Sequence, residues 1–303
     1  VQWYICNGQT DHLIETGIDL YKLPLQEKKD ILCSCIYGID IDIHAVEVAK
    51  FSLLIKLIED ETAPSVSEVV PILPDLGDNI QFGNSLVSQT ELNGISGANH
   101  QMMEIAPFDW STINNGCGFD VIIGNPPYVN TEGMHALLPS AEVEIYKKKY
   151  KTSHKQFDKY FIFIEQAINK INENGLACYI VPNKFFKIGA GEKLRNLIAK
   201  ERMLVSLDDF GDAQLFEDKT IYSSIILLSK AKQTSFVYSS VDSANKLWAG
   251  EEVSSIELNS SVLNKLPWRL TTDFEFLTML QRLDEVSVPI TKHAAVSYTH
   301  LTL

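Results

Sequence analysis

Short apolar runs and longer stretches with helical apolar spacing alternate along most of the chain. Residues 36–42 predict a strand that runs straight into a helix over 43–59, where Val46, Ala49, Leu53, Leu54, Leu57 and Ile58 share one face. Further strands are expected at 79–82, 119–123, 176–181, 204–210 and 221–228. Helices are expected at 157–171, with Phe161, Ile164, Ala167, Ile168 and Ile171 inward, and at about 191–200. Asn174-Gly175 is expected to close the first of these two. Strands alternating with helices at this spacing indicate an α/β sheet covered on both faces.

Between these elements the pattern weakens. Residues 1–36 read as irregular structure or a small hairpin followed by a helix over 25–35. Pro64, Pro71 and Pro74 mark 62–78 as a loop or an extended linker. Residues 88–117 read as a surface excursion anchored by Phe108-Asp109-Trp110, and 130–145 as a flexible flap. Short strands and helices mix over 235–290, with 274–283 helix-like.

The most informative stretch is 118–130. Phe119-Asp120-Val121-Ile122-Ile123 reads as a buried central strand that stops at Gly124-Asn125-Pro126-Pro127-Tyr128. Two prolines without amide hydrogens forbid further pairing, so a rigid turn stands at the strand's carboxyl end, where open α/β sheets place ligands. The Asn125 side-chain carbonyl and the Pro126 main-chain carbonyl, fixed in direction because Pro127 follows, can grip both hydrogens of one planar amino group. The Tyr128 ring offers a surface on which a flat base stacks, worth ~1–3 kcal/mol. The plainer reading is a tight turn with an exposed tyrosine.

Composition narrows the classes. The chain has 303 residues, 45% hydrophobic and 21% charged, enough for one large domain or two small ones. No apolar run reaches the ~18 residues of a membrane span and no signal peptide opens the chain, so a cytoplasmic protein away from membranes is expected. Five cysteines without paired CxxC spacing give no metal site, and Cys33-Ser34-Cys35 reads as buried filler. Six lysines between 147 and 159 stand out in a chain of net charge −13. Lys147, Lys148, Lys149, Lys151 and Lys155 fit a phosphate-facing edge and a solvated helix face equally well. The overall charge argues against a self-sufficient DNA clamp and places the basic recognition part outside this segment.

The NPPY turn resembles motif IV of DNA adenine-N6 methyltransferases of the gamma class. More narrowly, the chain resembles the methylase part of Type IIG restriction–modification enzymes and related phage-defence methylases. Gly83-Asn84-Ser85-Leu86, Val181-Pro182-Asn183-Lys184-Phe185 and Asp209-Phe210-Gly211-Asp212 with Leu215-Phe216 extend the likeness. It implies a Rossmann-like α/β fold that uses S-adenosylmethionine and acts on an adenine turned out of duplex DNA. A fused or associated endonuclease and specificity domain would accompany it. Asn125, Pro126, Pro127 and Tyr128 would be catalytic, with Tyr128 and Phe216 sandwiching the base. Asp40 would hold the cofactor's ribose hydroxyls, Ile41 would lie against its adenine, and Asn84 and Ser85 would meet the adenine amine. For Asp42 an N-cap role is favoured.

Nothing in residues 1–36 resembles the glycine-rich cofactor loop of these enzymes. The chain is therefore read as a connector (1–35) following that missing loop, a methyltransferase domain (36–232), the start of a target-recognition region (233–295) and a non-native tail (296–303). On that reading the 303 residues alone bind cofactor poorly and are inactive. Two alternatives stay open: methylation of a glutamine amide in protein release factors, which suits the same two acceptors, and an inactive DNA-binding scaffold of methylase fold.

Overall fold

The computed structural model describes residues 1–17, 20–67, 69–95, 98–215 and 221–288. It divides into two compact units, 1–118 with 130–153, and 119–129 with 154–303. The tail at 296–303 and Phe216 lie outside the described residues.

In the first unit, β1 (Ile14–Gly17) and β2 (Leu20–Lys22) form the small hairpin, and the helix Leu25–Cys35 follows. β3 (Gly38–Asp40) pairs in parallel with β4 (Ile80–Phe82), Gly38 opposite Ile80. Between them runs the helix Ile43–Ile58, whose N-cap Asp42 accepts from the His44 amide at 2.8 Å. Leu25, Leu32, Val46, Leu57, Leu76 and Ile80 are buried together as the core of this part. The buried Asn79 amide donates to the Cys33 carbonyl at 2.7 Å and the Ile36 carbonyl at 3.0 Å, fastening the end of the helix Leu25–Cys35 and the residue after it ahead of β3. The Glu61 carboxylate accepts from Lys28 (2.7 Å), Lys22 (3.4 Å) and Ser65 (2.8 Å), tying the helices and the hairpin together.

Two sequence expectations fail here. Residues 62–78 include a short helix, Ala63–Ser67. Residues 130–145 are no flexible flap. They form the helices Thr131–Leu137 and Ser140–Lys149, with Met134, Ala141, Val143, Ile145 and Tyr146 buried. Polar residues between the apolar ones masked the helical period, and Asn130 caps the first helix by accepting from the Gly133 amide at 2.8 Å.

The second unit is built on a six-stranded mixed sheet. Its strands are β5 (Phe119–Gly124), β6 (Ile171–Pro182), β7 (Leu204–Gln214), β8 (Tyr222–Ser229), β9 (Ser235–Ser240) and β10 (Ser254–Asn259). Their order is β10-β9-β7-β8-β6-β5. β5 runs parallel to β6, and β8 lies antiparallel between β6 and β7. The carboxyl ends of β5, β6 and β7 therefore share one end of the sheet. The helix Lys159–Lys170 packs Tyr160, Phe161, Ile164, Ala167 and Ile168 inward.

The expected central, buried strand is in fact the edge of this sheet, with Val121 58% and Ile123 77% exposed. An apolar run reports a strand's preference for cover but not which neighbours it has. Gly175 does not close the helix, which ends at Lys170, but lies within β6. A Cβ there would sit 2.7 Å from the Phe119 carbonyl oxygen, so close backbone approach selects glycine. β9 and β10, from the segment expected to open a recognition region, continue the sheet, β9 parallel to β7. Among the described residues no helix is long and apolar enough to cross a membrane.

Candidate active site

The proline turn stands at the end of β5, and the sheet aims it. Gly124 lies opposite Tyr179 in register, and a Cβ at 124 would meet the Tyr179 ring at 2.8 Å. Glycine is thus required for the strand end to settle on that ring. Pro126 is buried, while Asn125 and Pro127 are exposed and Tyr128 is half-buried. The Tyr128 hydroxyl lies 2.5 Å from Asn125 Oδ1 and 2.9 Å from the Ile180 carbonyl of β6. Burial pushes its pKa up to about 12, so it stays a donor throughout the physiological range. A carboxamide oxygen has two acceptor directions, so Asn125 Oδ1 keeps one for a further donor.

Behind the turn, the Tyr128 ring meets Tyr160 edge-on with centroids 6.1 Å apart, and Tyr160 donates to the Pro182 carbonyl at 3.3 Å. The Lys159 amide bonds the Val129 carbonyl at 2.8 Å, closing the exit of the turn onto the helix start. The buried Asp158 carboxylate holds the Lys184 ammonium at 3.0 Å.

Two other sequence motifs meet at the same sheet end. The buried Asn183 amide donates to Asp209 Oδ1 at 2.8 Å and to the Gly211 carbonyl at 3.2 Å. Tyr238 donates to the other Asp209 oxygen at 3.3 Å; burial, and next the carboxylate beside it, raise the tyrosine's pKa. Below the 183–186 turn, the fully buried Arg195 guanidinium donates to the Phe185, Ile188 and Lys265 carbonyls at 2.5, 2.7 and 3.1 Å. Burial lowers its pKa. Tyr160 and Arg195 were not singled out from sequence; for Tyr160 the available signal was a hydroxyl inside the apolar face of its helix, and for Arg195, on the largely polar helix Glu192–Glu201, there was none.

In the first unit, the ends of β3 and β4 carry the other candidates. Asp40 is exposed, with one carboxylate oxygen accepting from the Asp42 amide at 2.8 Å, and Ile41 is 48% exposed. An exposed carboxylate at a strand's carboxyl end beside an exposed apolar side chain suits a ribose diol next to a flat base. Asn84 points inward: its Nδ2 donates to Glu142 at 3.0 Å and its Oδ1 accepts from the Leu86 amide at 3.1 Å. Ser85 sits in the same turn, its carbonyl accepting from the Trp110 indole at 3.1 Å. Gly83 enters this turn under Phe108, where a Cβ would sit 2.8 Å from the ring.

The lysines divide. Lys149 turns inward to the Leu86 carbonyl (3.0 Å) and Glu91 (2.9 Å), so its charge serves the unit's own packing and not a phosphate-facing edge. Lys148 pairs with Glu144 at 2.6 Å and Lys155 with Glu192 at 3.7 Å, while Lys147 Nζ lies 3.1 Å from His135 Nε2. Lys151 is exposed.

Residues 34–216, more than half of the chain, match the model of the Eco57I restriction-modification methylase family. The chain belongs to that family. It is 39% identical over 274 residues to the Escherichia coli "Type II restriction enzyme and methyltransferase RM.Eco57I", covering 88% of this chain and 26% of that protein. It is 27% identical over 184 residues to the Xanthomonas vasicola "Type II methyltransferase M.XhoI", covering 55% of this chain and 33% of the relative. The structure of a DrdV–DNA complex shares the fold at a TM-score of 0.56 and 14% identity, covering 84% of this chain and 26% of that one. The chain thus spans about a quarter to a third of the length of these relatives. The family match begins within the helix Leu25–Cys35 and ends just beyond β7, so it takes in all four sequence motifs, at 83–86, 124–128, 181–185 and 209–216.

Proposed function

We propose that this chain is part of a DNA methyltransferase of a restriction–modification or phage-defence system, one that transfers a methyl group from S-adenosylmethionine to the N6 amine of an adenine turned out of duplex DNA. The observation that carries the reading is the proline turn after β5, where Asn125 is held by the Tyr128 hydroxyl at 2.5 Å with one acceptor direction left. Family membership and the printed activities of RM.Eco57I and M.XhoI support it. The protein would work in the cytoplasm with double-stranded DNA, alongside endonuclease and specificity domains.

Adenine's amine is a weak nucleophile because its lone pair is shared with the ring. Asn125 Oδ1 and the Pro126 carbonyl would accept its two hydrogens and draw them out of the ring plane, which localises the lone pair. Bound S-adenosylmethionine supplies an electrophilic methyl on a sulfonium sulfur. Asn125 Oδ1 and the Pro126 carbonyl would aim the nitrogen lone pair at that methyl and pass the proton the nitrogen sheds to solvent, with the cofactor's thioether as the leaving group. No strong base is needed, since alignment and charge stabilisation lower the barrier. Tyr128 and Phe216 would stack on the base, and Pro127 would stiffen the turn.

Asp40 would take the ribose hydroxyls, Ile41 the cofactor's adenine, and the turn at Asn84 and Ser85 would frame that adenine, Asn84 through its hold on the backbone. Among the lysines, Lys147, Lys148, Lys151 and Lys155 would meet DNA phosphates as an accessory contact.

The test is transfer of labelled methyl to DNA or to protein release factor by the full-length protein. Label recovered as N6-methyladenine supports the reading; label in release-factor glutamine alone, or in neither, overturns it.

A further inference from the structure

A glutamate with 1% of its surface exposed, on a soluble helix and outside the proline turn, calls for a reason. Glu142 lies on the helix Ser140–Lys149, and one of its oxygens accepts both the Asn84 amide, at 3.0 Å, and the Tyr146 hydroxyl. The same helix reaches the turn twice more. Lys149 Nζ and the Tyr150 hydroxyl, just past its end, both donate to the Leu86 carbonyl, at 3.0 and 2.8 Å. The turn itself is pinned at each step: the Asn84 amide nitrogen bonds the Ala106 carbonyl at 2.6 Å and the Phe108 nitrogen bonds the Val87 carbonyl at 2.8 Å. Asn84 Oδ1 accepts from Leu86 at 3.1 Å, so Nδ2 necessarily faces Glu142.

We infer that Glu142 is a positioning residue for the cofactor: it fixes the Asn84 carboxamide, and with it the 83–86 turn, and it is the reason this chain carries asparagine and not aspartate at 84. The inference rests on the proposed cofactor role of that turn. A carboxamide presents a donor to Glu142 and an acceptor to Leu86, which satisfies both neighbours at once. Aspartate at 84 would keep the bond from Leu86 but set its second oxygen against Glu142 at the 3.0 Å where Nδ2 now donates. Two carboxylates at that separation do not both ionise without cost, and the turn would open to part them. Replacing Glu142 by glutamine removes the conflict, because its amide can donate to the new carboxylate.

The test is a double-mutant cycle in the full-length protein with Asn84→Asp, Glu142→Gln and the pair, reading the dissociation constant of S-adenosylhomocysteine by calorimetry alongside the melting temperature. Asn84→Asp is expected to weaken binding by about tenfold or more, and the pair to recover most of that loss. Glu142→Gln alone should weaken it by only a few fold. Losses that simply add would overturn the inference, as would a melting temperature that follows the cycle while affinity stays flat. Wild-type protein that binds no S-adenosylhomocysteine would instead remove the cofactor reading beneath it. If Asn84→Asp fails to fold, recovery of folding and affinity by the pair carries the inference, and failure of the pair overturns it.

Discussion

The Tyr128 hydroxyl and the Asn125 side-chain oxygen stand 2.5 Å apart, so the ring that would stack on a base also orients the carboxamide that would hold its amino group. Removing only the hydroxyl separates the two roles. Tyr128→Phe keeps the ring and should lower kcat for methyl transfer about fivefold, the worth of roughly one hydrogen bond, with cofactor affinity unchanged. Tyr128→Ala should lose substantially more, and steady-state kinetics on a DNA substrate read both.

Asp40 and Asp42 are two residues apart and do different work. Asp40→Ala should raise the dissociation constant of S-adenosylmethionine with little change in melting temperature. Asp42→Ala removes the cap on His44 and should cost about 1 kcal/mol of stability while leaving affinity nearly intact. Calorimetry and thermal unfolding on the same pair of variants distinguish them.

Gly124→Ala places a methyl group 2.8 Å from the Tyr179 ring. The strand end or the ring must move, at a cost of about 1–3 kcal/mol, and the proline turn moves with it. The expected result is a lower melting temperature together with a lower kcat. Adding Tyr179→Leu, which removes the ring, should restore part of both.

Arg195 ties the 183–186 turn, through the Phe185 carbonyl, to the Ile188 and Lys265 carbonyls. Arg195→Met leaves those buried acceptors without their donor and should destabilise by about 2–4 kcal/mol, measured by denaturant unfolding. Arg195→Lys should rescue little, because an ammonium cannot reproduce the planar fork.

Stability should fall on the acid side through Glu61. Burial pushes its carboxyl up, but the bonds from Lys28 and Ser65 and the charges of Lys28 and Lys22 outweigh that and hold its pKa below the ordinary value of 4.5. The folded state therefore binds the proton less readily than the unfolded one. The resulting stability is present above the ordinary value and is lost as pH falls through the lowered one. Melting temperature against pH should drop more steeply in the wild type than in Glu61→Gln.

Much of this arrangement was legible in the residues themselves. The 43–58 helix, the strand ends and the proline turn follow from apolar period and from prolines that cannot pair. The edge position of Phe119–Gly124 was not legible, because Val121 and Ile123 carry the same apolar signature whether covered or bare. Nor was the clamp on Asn84, whose partner Glu142 lies 58 residues away on a helix masked by polar spacing. Long-range polar partners leave no period behind them, so Asn183 with Asp209, and Asp158 with Lys184, emerge only once the chain is folded.

The central claim rests on the Asn125 carboxamide. The direct measurement is the rate of labelled methyl incorporation into DNA by full-length protein carrying Asn125→Ala, with cofactor affinity measured in parallel. The rate should fall about a hundredfold or more while affinity holds; undiminished formation of N6-methyladenine would contradict the account.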